Sequence, residues 1–142
     1  MTVINIHING KKISREVSDS SLLSDFLRDE MDLTGTHVGC DTSQCGACVV
    51  HLNGNSIKSC TTLVADCNGG DITTIEGLSK NGKMHPMQEA FKKNHGLQCG
   101  FCTPGMVMSA IDLLQKNKNP SEQEIRDWLE GNICRCTGYQ GI

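Results

Sequence analysis

Aromatic side chains are scarce in this sequence: 142 residues hold one Trp, one Tyr and three Phe. Large rings therefore cannot dominate a core, and burial falls to Ile, Leu, Val and Met. No run approaches the roughly 18 apolar residues of a membrane-spanning helix. Met1 to His7 alternates polar and apolar residues, with neither a basic start nor an apolar h-region, so it does not read as a signal peptide. Basic clusters are missing too. Lys and Arg are dispersed and the net charge is −3, which argues against nucleic acid as a partner. These absences lead us to expect a soluble, cytoplasmic protein in a reducing compartment, where structural disulfides are disfavoured.

Cysteine is what the chain has in excess. Nine is an odd number, which argues against a fully paired disulfide framework. Eight of the nine fall into two quartets: Cys40, Cys45, Cys48 and Cys60, then Cys99, Cys102, Cys134 and Cys136. Cys67 is left over and reads as a buried thiol behaving as a small hydrophobe. His7, His37, His51, His85 and His95 are scattered without ligand spacing, so surface or structural roles are expected for them. Either half of the chain would hold about 70 residues, a size at which a core supplies roughly 3–5 kcal/mol. Such units usually lean on a metal, a disulfide or a partner.

Hydrophobic periodicity divides the chain. Ile4, Ile6 and Ile8 alternate with polar residues, Asn9-Gly10 suits a type I′ turn, and residues 13–17 can return as a second strand. Ser20 or Ser21 is expected to cap a helix carrying Leu22, Leu23, Phe26 and Leu27 on one stripe. Residues 47–52 read as a strand, Asn53-Gly54 as a turn, residues 56–60 as the return and residues 72–75 as a further short strand. Residues 77–85 lack periodicity and read as a linker. Beyond it the pattern is helical. One helix opens at Pro86 and suits an end at Gly96; a second opens near Pro104 and carries Val107, Met108, Ile111 and Leu114. A third follows the capping box Ser121 to Glu124, with Ile125, Trp128 and Leu129 inward and Gly131 at its end. The expected fold class is α+β, with a sheet unit over 1–76 and an all-α unit over 86–142.

Cys40, Cys45 and Cys48 keep the C-x4-C-x2-C rhythm of a plant-type [2Fe–2S] site, with Cys60 as the distant fourth ligand. The Asn53-Gly54 turn would carry Cys60 back towards Cys48. Gly39 and Gly46 give the loop the freedom to wrap an anionic cluster and point N–H groups at its sulfurs. A four-cysteine zinc site more often uses two short pairs, and no C-x-H pair exists for a Rieske centre. Cys99 and Cys102 precede Pro104 and so sit at a helix N-terminus, where N–H groups and the dipole favour an anion. Cys134 and Cys136, two apart, can face one side only from a non-helical segment. Spacing alone leaves this second quartet open to iron–sulfur, zinc or a redox dithiol at Cys99 and Cys102.

The segments Gly39-Cys-Asp-Thr-Ser-Gln-Cys-Gly-Ala-Cys48, Gln98-Cys-Gly-Phe-Cys-Thr-Pro-Gly105 and Asn132-Ile-Cys-Arg-Cys-Thr-Gly-Tyr139 together resemble the small iron–sulfur subunit of the xanthine oxidase family of molybdenum hydroxylases. The resemblance spans essentially the whole chain. It implies an N-terminal ferredoxin-like β-grasp domain and a C-terminal four-helix-bundle-like domain, each with one [2Fe–2S] cluster. Cys40, Cys45, Cys48 and Cys60 would hold the cluster nearer flavin; Cys99, Cys102, Cys134 and Cys136 would hold the one nearer molybdenum. Gln98 and Cys136 match positions that touch the pterin of the molybdenum cofactor. The implied partners are a molybdenum-binding large subunit and an FAD-binding medium subunit, assembled as a dimer of heterotrimers, with any membrane association at the inner face and through that complex. Family members usually continue past Gly138-Tyr139 into a further helix, which this sequence, ending at Ile142, does not include.

Within that family, Leu33 to Ser43 and His95 to Gln98 are most similar to the small subunits of aerobic carbon monoxide dehydrogenases. Oxidation of carbon monoxide to carbon dioxide is therefore the implied reaction of the holoenzyme, with an aldehyde, purine or N-heterocycle dehydrogenase as the alternative. No residue reads as a nucleophile, general base or substrate binder, so the chain alone is expected to be catalytically silent. A free ferredoxin-like carrier is the rival from another class. It would show a polar surface throughout, whereas a permanent subunit would expose apolar area on its helical half.

Overall fold

The computed structural model describes residues 1–142. Its first half is built on two hairpins. β1 (Thr2–Ile8) and β2 (Lys11–Val17) turn through Asn9 and Gly10, whose φ angles of 50° and 81° are those a type I′ turn demands. β3 (Val49–Leu52) and β4 (Asn55–Lys58) repeat the device at Asn53-Gly54. β5 (Asp71–Thr73) joins them, parallel to β1 and antiparallel to β3, giving the order β2-β1-β5-β3-β4.

Alternation on β1 puts Ile4, Ile6 and Ile8 on the buried face, where they meet Val17, Val50, Val64 and Ile72. α1 (Leu23–Asp25) closes that face and widens into a π-helical turn over Phe26–Glu30, with Met31 N donating to Phe26 O at 3.1 Å. Leu23, Phe26 and Leu27 thereby lie against the sheet. Cys67 is buried within this core, and burial, then the charge of Asp66, pushes its thiol above its usual range. The expected serine cap is not formed. Leu22 holds the N-cap position, and its side chain has no atom to accept a hydrogen bond; its backbone bridges Leu63. Ser21 uses its carbonyl to accept from Val64 N instead, at 2.9 Å.

Residues 77–85 are not featureless. Lys80 and Lys83 bridge each other across a turn in which Asn81 and Gly82 both have positive φ. The second half then holds α2 (Pro86–Lys93), α3 (Thr103–Lys116) and α4 (Glu122–Trp128). Ser121 and Glu124 form the expected capping box on α4. α2 is also capped, by the His85 ring accepting from Met87 N at 3.1 Å. Three α-helices are present where a four-helix-like bundle was expected. After Gly131 the chain runs through loops, and left-handed residues at Gly138 and Tyr139 divert it from helix. Leu114, expected inward on α3, is 40% exposed; Met106 and Leu113 take the buried side.

α3 lies on β3 and β4 and joins the two halves. At its first turn the backbones touch: a Cβ on Gly105 would run into the Gly46 carbonyl oxygen, and one on Gly46 into the Gly131 carbonyl. Further along, Asp112 accepts from the backbone N–H and hydroxyl of Ser56 and pairs with Lys116 at 3.0 Å. Burial alone would raise the Asp112 carboxyl, but the Ser56 hydroxyl and Lys116 outweigh it and hold the group below its ordinary 3.8. No helix is long and apolar enough to cross a membrane.

Two outcomes test this packing. Ile6→Ala empties a fully buried site and should cost about 2–5 kcal/mol, read as a lower urea midpoint. An unchanged midpoint would place the core elsewhere. Gly105→Ala cannot fit against Gly46, so thermal unfolding should split into separate transitions for the two halves. A single transition at the wild-type temperature would show that the contact has slack.

Candidate metal centres

Cys40 and Cys45 stand in the loop that leads into β3, and left-handed residues Asp41 and Ser43, with Gly46, curl that loop inward. Three consecutive features follow from the curl. Thr42 N, Gln44 N and Cys45 N approach the Cys40 sulfur at 3.3, 3.4 and 3.3 Å. Hydrogen bonds from Cys45 N–H and then Thr42 bring the Cys40 thiol down to about 6, so it stands as a thiolate at neutral pH. Ala47 N donates to the Cys45 sulfur at 3.4 Å. This is a cradle for negative charge, made by backbone before any metal is considered. Of the two glycines expected to supply the turning freedom, only Gly46 has positive φ. Gly39 gives room: a Cβ there would sit 3.1 Å from the Cys45 sulfur.

The β3–β4 pairing of Val49 with Lys58 brings Cys60 back beside Cys48. Cys60 does not lie on the strand, as residues 56–60 suggested. β4 stops at Lys58, and Cys60 occupies one 3₁₀ turn, Ser59–Thr61, from which its N–H approaches the Cys48 sulfur at 3.5 Å. Both thiols are buried, and burial is the main cause that pushes Cys60 up. A thiolate at Cys60 would need a cation to share its buried charge.

The second quartet gathers at the start of α3, with Cys102 as its N-cap residue. Cys134 and Cys136 come from the loop that follows Leu129–Gly131, non-helical as their spacing requires. The Cys99 and Cys136 sulfurs are 3.5 Å apart, and both residues are exposed. Cys102 hydrogen-bonds Cys134, and both are buried. Burial and then the Cys134 neighbour push Cys102 up to about 12. Burial also works on Cys134, but the Thr137 hydroxyl at 3.1 Å and its N–H at 3.4 Å prevail and bring that thiol to about 7. Tyr139 adds a support, accepting from Cys134 N at 2.9 Å. All four cysteines line one cavity of about 260 Å³, and Cys45 of the first quartet lines it too.

No three His, Cys, Asp or Glu side chains close around a single point. Six of the eight thiols meet two by two instead: Cys48 with Cys60, Cys99 with Cys136, and Cys102 with Cys134. A tetrahedral zinc site asks for four donors about one ion, whereas a [2Fe–2S] centre asks for two thiolates on each of two irons. The pairing and the inward N–H groups fit the dinuclear centre. Gln98 is exposed beside Cys99.

Contacts between the quartets are the part that the sequence did not announce. Ile133 N donates to the Cys45 carbonyl at 2.8 Å, and the buried Asn132 amide donates to the Gly46 carbonyl at 3.1 Å. On the other side of the gap His37 stacks on Phe101, with ring centroids 4.6 Å apart, and its Nδ1 donates to the Phe101 carbonyl at 2.7 Å. These partners lie 64 to 88 residues apart in the chain, beyond any spacing rule.

Residues 6–72 match the model of the 2Fe-2S iron-sulfur cluster binding domain, and residues 74–142 match that of the [2Fe-2S] binding domain. The chain is 47% identical to the caffeine dehydrogenase subunit gamma of Pseudomonas sp. (strain CBB1), over 99% of this chain and 86% of that one. It is 46% identical to the nicotine 6-hydroxylase small subunit of Paenarthrobacter nicotinovorans, over 98% and 84%. Among solved structures, quinoline 2-oxidoreductase from Pseudomonas putida 86 superposes with a TM-score of 0.95 at 42% identity, covering 99% of this chain and 86% of that one. The aldehyde oxidoreductase of Megalodesulfovibrio gigas, 46% identical, matches over 96% of this chain but only 15% of its own length. Built from two [2Fe–2S]-binding units in one polypeptide, the chain belongs to the family of small iron–sulfur subunits of the molybdenum hydroxylases.

Proposed function

We propose that this chain is the two-station electron relay of a multi-subunit hydroxylase, with Cys40, Cys45, Cys48 and Cys60 holding one [2Fe–2S] cluster and Cys99, Cys102, Cys134 and Cys136 the other. The division into a sheet unit, 1–76, a linker, 77–85, and a helical unit, 86–142, belongs to the same proposal. The observation that carries it is the 2.8 Å bond from Ile133 N to the Cys45 carbonyl. It joins the neighbour of one proposed ligand directly to another ligand's backbone, a short bonded route between the quartets. Such clusters supply one-electron steps, and the protein sets their potential through burial and N–H···S bonds.

Electrons leaving a molybdopterin centre would enter at the second quartet and pass through the first to FAD, both groups being held by partner subunits. Exposure supports that direction. Cys99 and Cys136 are exposed, and around them stand Leu97, Phe101 and Ile133, at 40, 47 and 52% exposure. That apolar rim suits a permanent partner better than a free carrier, which would keep such residues covered or polar. Gln98 and Cys136 would face the pterin there. A large molybdenum subunit and a medium FAD subunit, paired as a dimer of heterotrimers, complete the proposed assembly.

For the substrate, the relatives named for caffeine, nicotine, quinoline and aldehydes favour an N-heterocycle or aldehyde. Carbon monoxide is the second reading, and it rests on the wording of Leu33 to Ser43 and His95 to Gln98. Assay of the purified complex against all three substrate classes decides between them, turnover of carbon monoxide alone favouring the second.

The relay itself is tested by iron analysis and EPR of the reduced protein. Two distinguishable [2Fe–2S] signals are expected; a single signal or stoichiometric zinc overturns the assignment. Cys102→Ser should abolish one signal and leave the other, and loss of both would mean that the units do not hold their clusters independently.

A further inference from the structure

β3 begins one residue after Cys48, and α3 begins one residue after Cys102. The separation of the two quartets is therefore governed by how α3 is seated on the β3–β4 hairpin. Two side chains do the seating away from any cysteine. His51 on β3 is 5% exposed, and its Nε2 lies 2.7 Å from the Met108 carbonyl, which can only accept, so the imidazole donates. Ser56 on β4 is the direct cross-strand partner of His51 and donates its N–H and hydroxyl to Asp112. Met108 and Asp112 are four residues apart, one turn of α3. A single rung of the hairpin thus grips two successive turns of the helix.

A buried imidazole and a 1%-exposed carboxylate are a costly way to hold two surfaces together. The Asp112 Oδ1 atom has no hydrogen-bond partner, so the contact is not optimised for stability. An apolar seam would bind as well but would tolerate sliding. Two directional bonds one turn apart do not: a partial slide misaligns the His51 bond, and a shift of one helical turn, about 5.4 Å, carries Asp112 away from Ser56. We infer that His51 and Ser56, acting through Met108 and Asp112, are positioning residues that fix the register of α3 on the hairpin and so the distance between the two clusters. The inference rests on the relay reading.

The test uses the full chain in its purified complex, chemically reduced, with the magnetic interaction between the two cluster signals read by EPR and iron content measured alongside. His51→Phe and Ser56→Ala should keep full iron yet weaken or broaden the splitting between the signals. His51→Gln, whose amide can still donate to the Met108 carbonyl, should bring it back. If His51→Phe sheds iron, Ser56→Ala and His51→Gln decide by the same criteria. Wild-type splitting in Ser56→Ala and in an iron-replete His51→Phe overturns the inference. A splitting in His51→Gln as weak as in an iron-replete His51→Phe, or weaker than wild type where His51→Phe sheds iron, overturns it as well. So does loss of both clusters in His51→Phe and Ser56→Ala together, which would make the clamp an element of folding. Absence of any interaction in the wild type would remove the relay reading itself, a result distinguishable from these.

Discussion

The contact of two backbones, Gly46 against Gly105, is the constraint on which the remaining arrangement depends. It lets the loop of the first quartet and the first turn of α3 approach closer than any side chain would permit. From that point the Cys45 carbonyl can take the Ile133 N–H, and the Gly46 carbonyl can take the Asn132 amide. Neither half brings a large core to this junction. The hydrophobic cluster of the sheet half gathers eleven buried residues behind its strands, whereas that of the helical half gathers six, and two of those six are Cys102 and Cys134. In that second cluster the proposed ligands are themselves part of the hydrophobic interior. Metal bound there would couple folding of the helical half to occupancy of the site.

Much of this was legible in the residues because the signals were local. Asn9-Gly10 and Asn53-Gly54 demand left-handed turns, and they get them. Ser121 and Glu124 are three apart and close their box. The two-apart spacing of Cys134 and Cys136 excludes helix, and the chain is loop there. Local signals failed where a distant strand or ring competed. Leu22 pairs with Leu63, and the serine cap is lost to that bridge. The α2 terminus passes through a left-handed His95 where Gly96 seemed the natural choice. Asp41 and Ser43 take positive φ in the first cysteine loop because the Cys40 sulfur collects their neighbours' N–H groups. The bonds between quartets join residues dozens of positions apart and left no trace in spacing. Nor does any residue of this subunit read as a substrate contact, which is why substrate identity is carried by kinship alone.

Electrostatic asymmetry runs through both centres. Each has one thiol already poised to ionise, Cys40 at about 6 and Cys134 at about 7, held there by N–H and hydroxyl donors. Each also has one thiol raised by burial, Cys60 and Cys102. Under the proposed assignment, the poised thiol would offer the first bond to iron, and the raised one would give up its proton as the cation arrives. Metal binding at such a site would release protons.

Burial divides the eight thiols along a different line. In each quartet two thiols lie inside the closed fold, Cys48 with Cys60 and Cys102 with Cys134, while the others remain at least partly accessible. A reagent arriving from solvent meets only the outer pair of each quartet, Cys40 with Cys45 and Cys99 with Cys136. The fold thus sorts its thiols by reach, an outer pair and an inner pair in each quartet.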